Sequence, residues 1–184
     1  LLMGAAMLVG GWAESRQLRA TPAAWLGRVV GLSCIGLASG AFYFGWVFFL
    51  QDDPRGGNPP AAALLLLLYV PAVCALGLVI GLLVRDRERA LQVLLFTALP
   101  MFFLSGVPWP DEALPPLLQA LRWLIPSTLG IQASLRVNQM GAPLADIWIY
   151  LAALAVQWGV SVGVLVILAR RPAPRSPGPA VPVR

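Results

Sequence analysis

Lysine and histidine are absent from all 184 residues, so the 13 cations are arginine throughout. Without an imidazole or a lysine amine the chain has no histidine-ligated zinc site, no histidine-based triad and no Schiff-base lysine. Charge of either sign is scarce: 11% of residues are charged, against about 25% in soluble domains. With 59% hydrophobic residues and a mean hydropathy of +0.78, too few polar side chains remain to cover a water-facing surface. An ordinary soluble domain and a disordered chain are thereby excluded. So is a nucleic-acid module, despite the net charge of +5. Cysteine is limited to Cys34 and Cys74, both inside apolar runs, where a free thiol behaves as a small hydrophobe. No G-x-x-x-x-G-K-[ST] phosphate loop occurs, so this chain has no nucleotide-hydrolysing motif of that kind.

Long apolar runs take the place of what is missing. A helix needs about 20 apolar residues to cross hydrocarbon. Runs at 29–50, 61–84 and 147–169 meet that length, and a shorter one at 90–104 carries Pro100. The chain opens with LLMGAAMLVGGW, residues 1–12, which reads as the end of a span whose start precedes Leu1. A signal peptide is the alternative, but it would need a basic stretch in front and a small-residue cleavage site behind.

The arginines set an orientation. Segments 13–28, 85–89 and 170–184 hold Arg16, Arg19, Arg28, Arg85, Arg87, Arg89, Arg170, Arg171, Arg175 and Arg184; segments 51–60 and 105–146 hold only Arg55, Arg122 and Arg136. This alternation puts the first set in the cytoplasm. The tail 171–184, basic and rich in proline, is expected to be a disordered cytoplasmic end near anionic lipid.

Residues 105–146 break the pattern of simple crossings. Leu114, Leu117, Leu118, Leu121 and Leu124 recur at helical spacing, with Gln119 and Arg122 on the other face. That predicts a helix of about 11 residues, stopped by Pro126 and too short to span. Ser127 or Thr128 is expected to cap a second amphipathic helix running to about Met140, ended by Gly141 and Pro143. The favoured layout is a hairpin dipping into the outer leaflet with Trp109 and Trp123 at the interface. The alternative is a two-helix loop lying flat on the outer surface.

None of the four runs holds an Asp, Glu, Lys, Arg or His. Ion-coupled transporters need such groups near the midplane, and a membrane-embedded hydrolase needs a nucleophile beside a base. Ser33, Ser39 and Ser161 have no ionisable neighbour in sequence and read as helix-packing residues. Gly27–Gly31 and Gly36–Gly40 have small-xxx-small spacing. Energy for any work must then arrive from another polypeptide, which points to the segment 13–28. Glu14, Arg16 and Arg19 there either show a charged face to a partner or belong to a solvated connector.

Two stretches carry a resemblance. FLSGVPWPDEALPP, 103–116, has the order F-x-S-G-x-x-[WF]-P-x-E-x-x-P through Phe103, Ser105, Gly106, Trp109, Pro110, Glu112 and Pro115; a P-S-T stretch (Pro126, Ser127, Thr128) and an N-Q-M-G-A stretch (Asn138 to Ala142) follow. With the span pattern, the chain over about 1–170 resembles the C-terminal half of permease subunits of type-2 ABC exporters. The branch it resembles exports drugs and hydrophobic compounds from Gram-negative bacteria.

The resemblance implies an all-α membrane protein, a multi-span helical bundle with an outer-leaflet re-entrant helical hairpin over 105–146. It implies six spans per permease, the first span and a periplasmic domain lying before this chain. It implies that 13–25 is a coupling segment seated on a separate ATPase subunit, which binds ATP and Mg while this chain binds no cofactor. The family pattern G-T-x-E-x-L-x-x-T-P is kept at Leu18, Thr21 and Pro22, whereas Ala13, Glu14 and Arg16 stand where Gly, Thr and Glu are expected. Glu14, Arg16, Leu18, Thr21 and Pro22 are therefore the candidate coupling residues. Ser105, Gly106, Trp109, Pro110, Glu112, Pro126, Ser127, Thr128, Gln139 and Gly141 are the candidate outer gate.

The function expected is ATP-driven export of amphipathic or hydrophobic compounds across a bacterial inner membrane. The chain would be a non-catalytic permease paired with a second permease chain and ABC ATPases; a periplasmic adaptor and outer-membrane channel often accompany such relatives. A non-transporting scaffold or regulatory subunit with a degenerate coupling loop is the alternative, favoured by the changes at 13–16. A membrane-embedded enzyme is the third reading, and the lack of paired ionisable groups counts against it.

Overall fold

A computed structural model describes residues 1–14, 21–47, 58–108 and 114–170, without the side chains of Glu14, Phe44, Val47 and Ala169. Every regular element in it is helical. Helix α1 is Leu2–Glu14; α2 is Pro22–Ala41, continued by the π-helical turn Phe42–Val47. Helices α3, Pro59–Val84, and α4, Arg87–Leu104, form an antiparallel pair. Helix α5, Pro116–Leu121, tightens into a 3₁₀ turn, Arg122–Leu124, before α6, Pro126–Asn138. The long α7, Leu144–Arg170, closes the described fold.

Local chemistry sets these boundaries. Thr21 caps α2: its Oγ1 accepts from the Ala24 N–H at 3.3 Å, with Pro22 as the first helical residue. Asn58 does the same for α3, and Pro59 and Pro60 follow it. Between α3 and α4 only two residues turn the chain. Arg85 takes a left-handed conformation, φ 58°, and its N–H reaches Gly81 O at 2.8 Å. Asp86 then accepts from the Glu88 and Arg89 N–H groups at 2.9 and 3.1 Å.

Three of these helices, α2, α3 and α7, are long and apolar enough to cross a membrane. Helix α4 has 18 residues but starts with Arg87, Glu88 and Arg89, leaving the 15-residue run 90–104 expected from the sequence. Val30, Ile35, Leu83, Phe96, Val156, Val160 and Ile167 all stand exposed. A monomer in water rarely bears that much apolar surface; lipid hydrocarbon accepts it without penalty.

Helix α3 is the hub, touching α1, α2, α4, α6 and α7. Half of its most apolar stretch is buried, against 22% in α2 and in α7. Its first half packs through Ala61, Leu65 and Ala72 with Leu129, Ala133 and Val137 of α6 and Ile147 to Leu154 of α7. Its second half packs through Ala75, Leu78, Val79 and Leu82 with α1, α2 and Leu165 of α7. Close approach there depends on glycine. A Cβ at Gly77 would stand 2.6 Å from Leu2 O, and one at Gly81 would stand 2.6 Å from both Ala6 O and Val9 Cβ.

Several sequence expectations need correction. The run expected at 29–50 begins as a helix at Pro22, because Thr21 and Pro22 start it; Arg28 therefore sits in its second turn and not in a loop. The segment 13–25 is not one element: Ala13 and Glu14 end α1, and Pro22 to Trp25 begin α2. Pro126 opens α6 instead of only stopping the helix before it. Ile125 is the N-cap with no side-chain cap bond, so Ser127 and Thr128 do not cap α6. The helix ends at Asn138, short of Met140. Of the two glycine pairs, Gly36 and Gly40 meet Val70 and Leu66, while Gly27 and Gly31 have nothing within 4 Å.

Candidate functional site

Two groups of residues flank α3, one at each end. At its C-terminal end the helices on either side of 15–20 meet. Trp25 is 1% exposed and packs with Ala5, Val9 and Leu78; Trp12 lies against the same cluster. Their rings meet edge to face with centroids 6.0 Å apart. The Arg28 guanidinium carbon stands 4.1 Å from the Trp12 centroid and 4.3 Å from that of Trp25. Each such cation–π contact contributes about 0.5–2 kcal/mol, more as water is excluded. Of the predicted coupling residues, Glu14 is the last of α1, Thr21 caps α2 and Pro22 is its first residue. Arg16 and Leu18 lie outside the described residues.

At the other end α6 runs along α3. Gly130 comes so close to the Tyr69 ring that an added Cβ would meet Cε2 at 2.5 Å. At the far end of α6, Asn58 Nδ2 donates to Ala142 O at 3.2 Å. The start of α6 is thus level with the middle of α3, and its end with the start of α3. Helix α7 gives the same level: Gln157, at the midpoint of its 27 residues, donates through Nε2 to Trp123 O at 2.7 Å. A third amide, Gln132 Nε2, donates to Ser105 O at 2.8 Å and ties α6 to the exit of α4. Trp123 stacks on Tyr150, centroids 5.6 Å apart and planes 10° from parallel. It packs half-buried against α7. On α5 and its 3₁₀ turn Leu117, Leu121 and Leu124 are exposed, while Gln119 and Arg122 are half-buried. That is the reverse of a helix lying on a water-facing surface.

The predicted gate residues fall at separate places. Ser105 is buried, its Oγ donating to Phe102 O at 2.6 Å, and Gly106 turns the chain at φ 78°. Pro126, Ser127 and Thr128 form the first turn of α6; Thr128 is 2% exposed, and its Oγ1 has no hydrogen-bond partner among the described residues. Gln139 and Gly141, φ 63°, lie at the opposite end of α6, roughly 20 Å away at 1.5 Å per residue. Trp109, Pro110 and Glu112 lie outside the described residues. The sequence reading missed Gln132 of the hairpin, and Asn58 and Gln157, which donate to it. It also missed Trp12, Trp25 and Arg28 at the linker. The signal for the second group was present as Trp25 and Arg28 at helical spacing i,i+3; the amides gave none, since their partners are backbone carbonyls distant in sequence.

A cavity of about 430 Å³ lies between α2, α3 and α6. Leu1, Gly36, Gly40, Leu65 and Gly130 line it, and Ser39, Ser134 and Asn138 are among its few polar side chains. Asn138 Nδ2 donates to Ser134 Oγ at 3.0 Å on its wall. Among the described residues no three His, Cys, Asp or Glu side chains come together as a metal site.

The family model described as ABC-2 family transporter protein matches residues 16–167. The chain belongs to the ABC-2 transporter family. One match takes in the linker, all three spans and the hairpin. No curated protein and no solved structure matches the chain. An ABC-2 permease is generally the non-catalytic membrane component, working with an ABC ATPase partner. The helical architecture and apolar exterior of this ABC-2 chain agree with that role: it is an all-α membrane protein.

Proposed function

We propose that this ABC-2 chain is the permease subunit of an ATP-driven exporter of amphipathic or hydrophobic compounds in a bacterial inner membrane. The observation that carries the reading is the single family match over both the linker and the hairpin. The physical setting supports it. Between their terminal turns the three described spans hold one ionisable side chain charged at neutral pH, Arg28, and two indoles cover it. No carboxylate there serves an ion gradient, so the work comes from a nucleotide-binding neighbour. The arginines of the 85–89 turn, with Arg16 and Arg19 before α2, face the cytoplasm. The amide-tied hairpin, with α6 reaching the middle of α3, then dips into the outer leaflet, where irregular backbone survives because protein satisfies it.

In this reading two permease chains pair, each on an ATPase. ATP binding has different affinities for the two states of the complex and shifts their populations. The ATPase acts on the segment 13–25 through Leu18, Thr21 and Pro22, with Glu14 and Arg16 beside them, and the hairpin yields as the outer gate. A hydrophobic cargo suits walls such as those between α2, α3 and α6.

The test is transport of a fluorescent hydrophobic dye into inside-out proteoliposomes holding the permease and its ATPase. Uptake should require ATP and survive collapse of the ion gradients. The double substitution L18D/T21D should leave membrane insertion and basal ATP hydrolysis in place and abolish uptake. Uptake driven by an ion gradient without the ATPase would overturn the reading. Unchanged uptake in L18D/T21D would remove the coupling assignment.

A further inference from the structure

We propose that Trp12, Trp25 and Arg28 form a brace that makes α1 and α2 move as one body when the segment between them is displaced, with Arg28 as the positioning residue. This rests on the permease reading above. The two helices flank residues 15–20, yet they share few direct backbone contacts and meet chiefly on α3. Ala5 and Val9 of α1 and Trp25 and Val29 of α2 press on Leu78, Val79 and Leu82 of α3. That packing seats each helix on α3 separately, and it does not by itself fix α1 to α2. Among the described residues, the tie between the two helices that stands beside 15–20 is the cation with its two rings.

Its placement suits transmission. Trp12 stands two residues before the end of α1, and Trp25 and Arg28 lie in the first two turns of α2. The guanidinium carbon is 4.1 and 4.3 Å from the two ring centroids, so one flat cation serves both indoles. Separating the helices would pull one ring from the half-buried charge, and a cation–π attraction strengthens as water is excluded. A push on the linker is carried into α1 and α2 together and onward to α3.

Spin labels at Leu8 of α1 and Val30 of α2, both exposed, report the separation of the two helices in nanodiscs. Cys34 and Cys74 are replaced by alanine beforehand. The permease–ATPase complex is measured without nucleotide and with ATP held on a hydrolysis-dead ATPase. The unsubstituted brace should give one narrow distance that ATP does not change. In Arg28→Gln and in Trp12→Leu the distribution should broaden and shift with ATP. With the active ATPase, transport per ATP should fall about tenfold, the size of a lost coupling contact. Arg28→Lys and Trp12→Phe, which keep a cation and a ring face, should restore the narrow distance. A distribution in Arg28→Gln and Trp12→Leu that matches the unsubstituted protein would overturn the brace, as would an ATP-dependent change with the brace intact. Absence of ATP-dependent transport in the unsubstituted complex would instead strike the permease reading, while the label widths still judge the brace.

Discussion

The two halves of α3 are held by different physics. Its second half carries α1 and the first turns of α2, continuous helices whose backbones satisfy themselves. Small residues do the joining there: Gly77 and Gly81 admit α1 so closely that its carbonyl oxygens would touch an added Cβ. The first half carries, beside α7 and the later turns of α2, short helices with turns between them, and those turns leave carbonyls in need of donors. Gln157, Gln132 and Asn58 supply them at Trp123, Ser105 and Ala142. Close packing is lost only by moving whole helices, whereas a hydrogen bond can be exchanged one at a time. The linker end is therefore the stiff end, and the hairpin end is the one that can rearrange.

Substitutions can break that contrast, and they rank by size. Trp25→Ala should be the most damaging. Removing a core indole costs about 3–5 kcal/mol, and thermal unfolding in detergent should show α1, α2 and α3 loosening together. Gly81→Leu comes next. Overpacking costs about 1–3 kcal/mol, and crosslinking between α1 and α3 should fall while the hairpin bonds persist. Gln157→Leu acts on the other half. An interhelical hydrogen bond in a membrane contributes about 0.6–1.7 kcal/mol, so hydrogen exchange should rise over 122–138 and stay unchanged over 73–84. A rise in both regions would erase the contrast. Thr21→Ala should be mildest, about 0.5 kcal/mol for an exposed cap bond, seen as faster exchange in the first turn of α2 alone.

Much of the bundle was legible in the residues. Leu64 to Leu68 and the run to Val84 could only be buried or in lipid, and α3 is where they said. Pro22, Pro59 and Pro116 mark the first helical positions of α2, α3 and α5. The same residue type misled at Pro126, where a helix-stopper also served as a helix-starter, since a proline's missing N–H matters only beyond the first turn. Arg28 was counted with a loop because hydropathy sees its charge and not the two indoles that cover it.

Taken alone, the sequence determined that this chain lives in a membrane, that its helices fall roughly where apolar runs fall, and that those runs contain no acid or base for handling ions. Those are properties of composition and local spacing. The tertiary structure decided that α3 is the hub, that Trp12 and Trp25 share one arginine, and that three amides reach carbonyls 27, 34 and 84 residues away. Contacts at such separations leave no period in the chain. They exist only once the helices have chosen their neighbours.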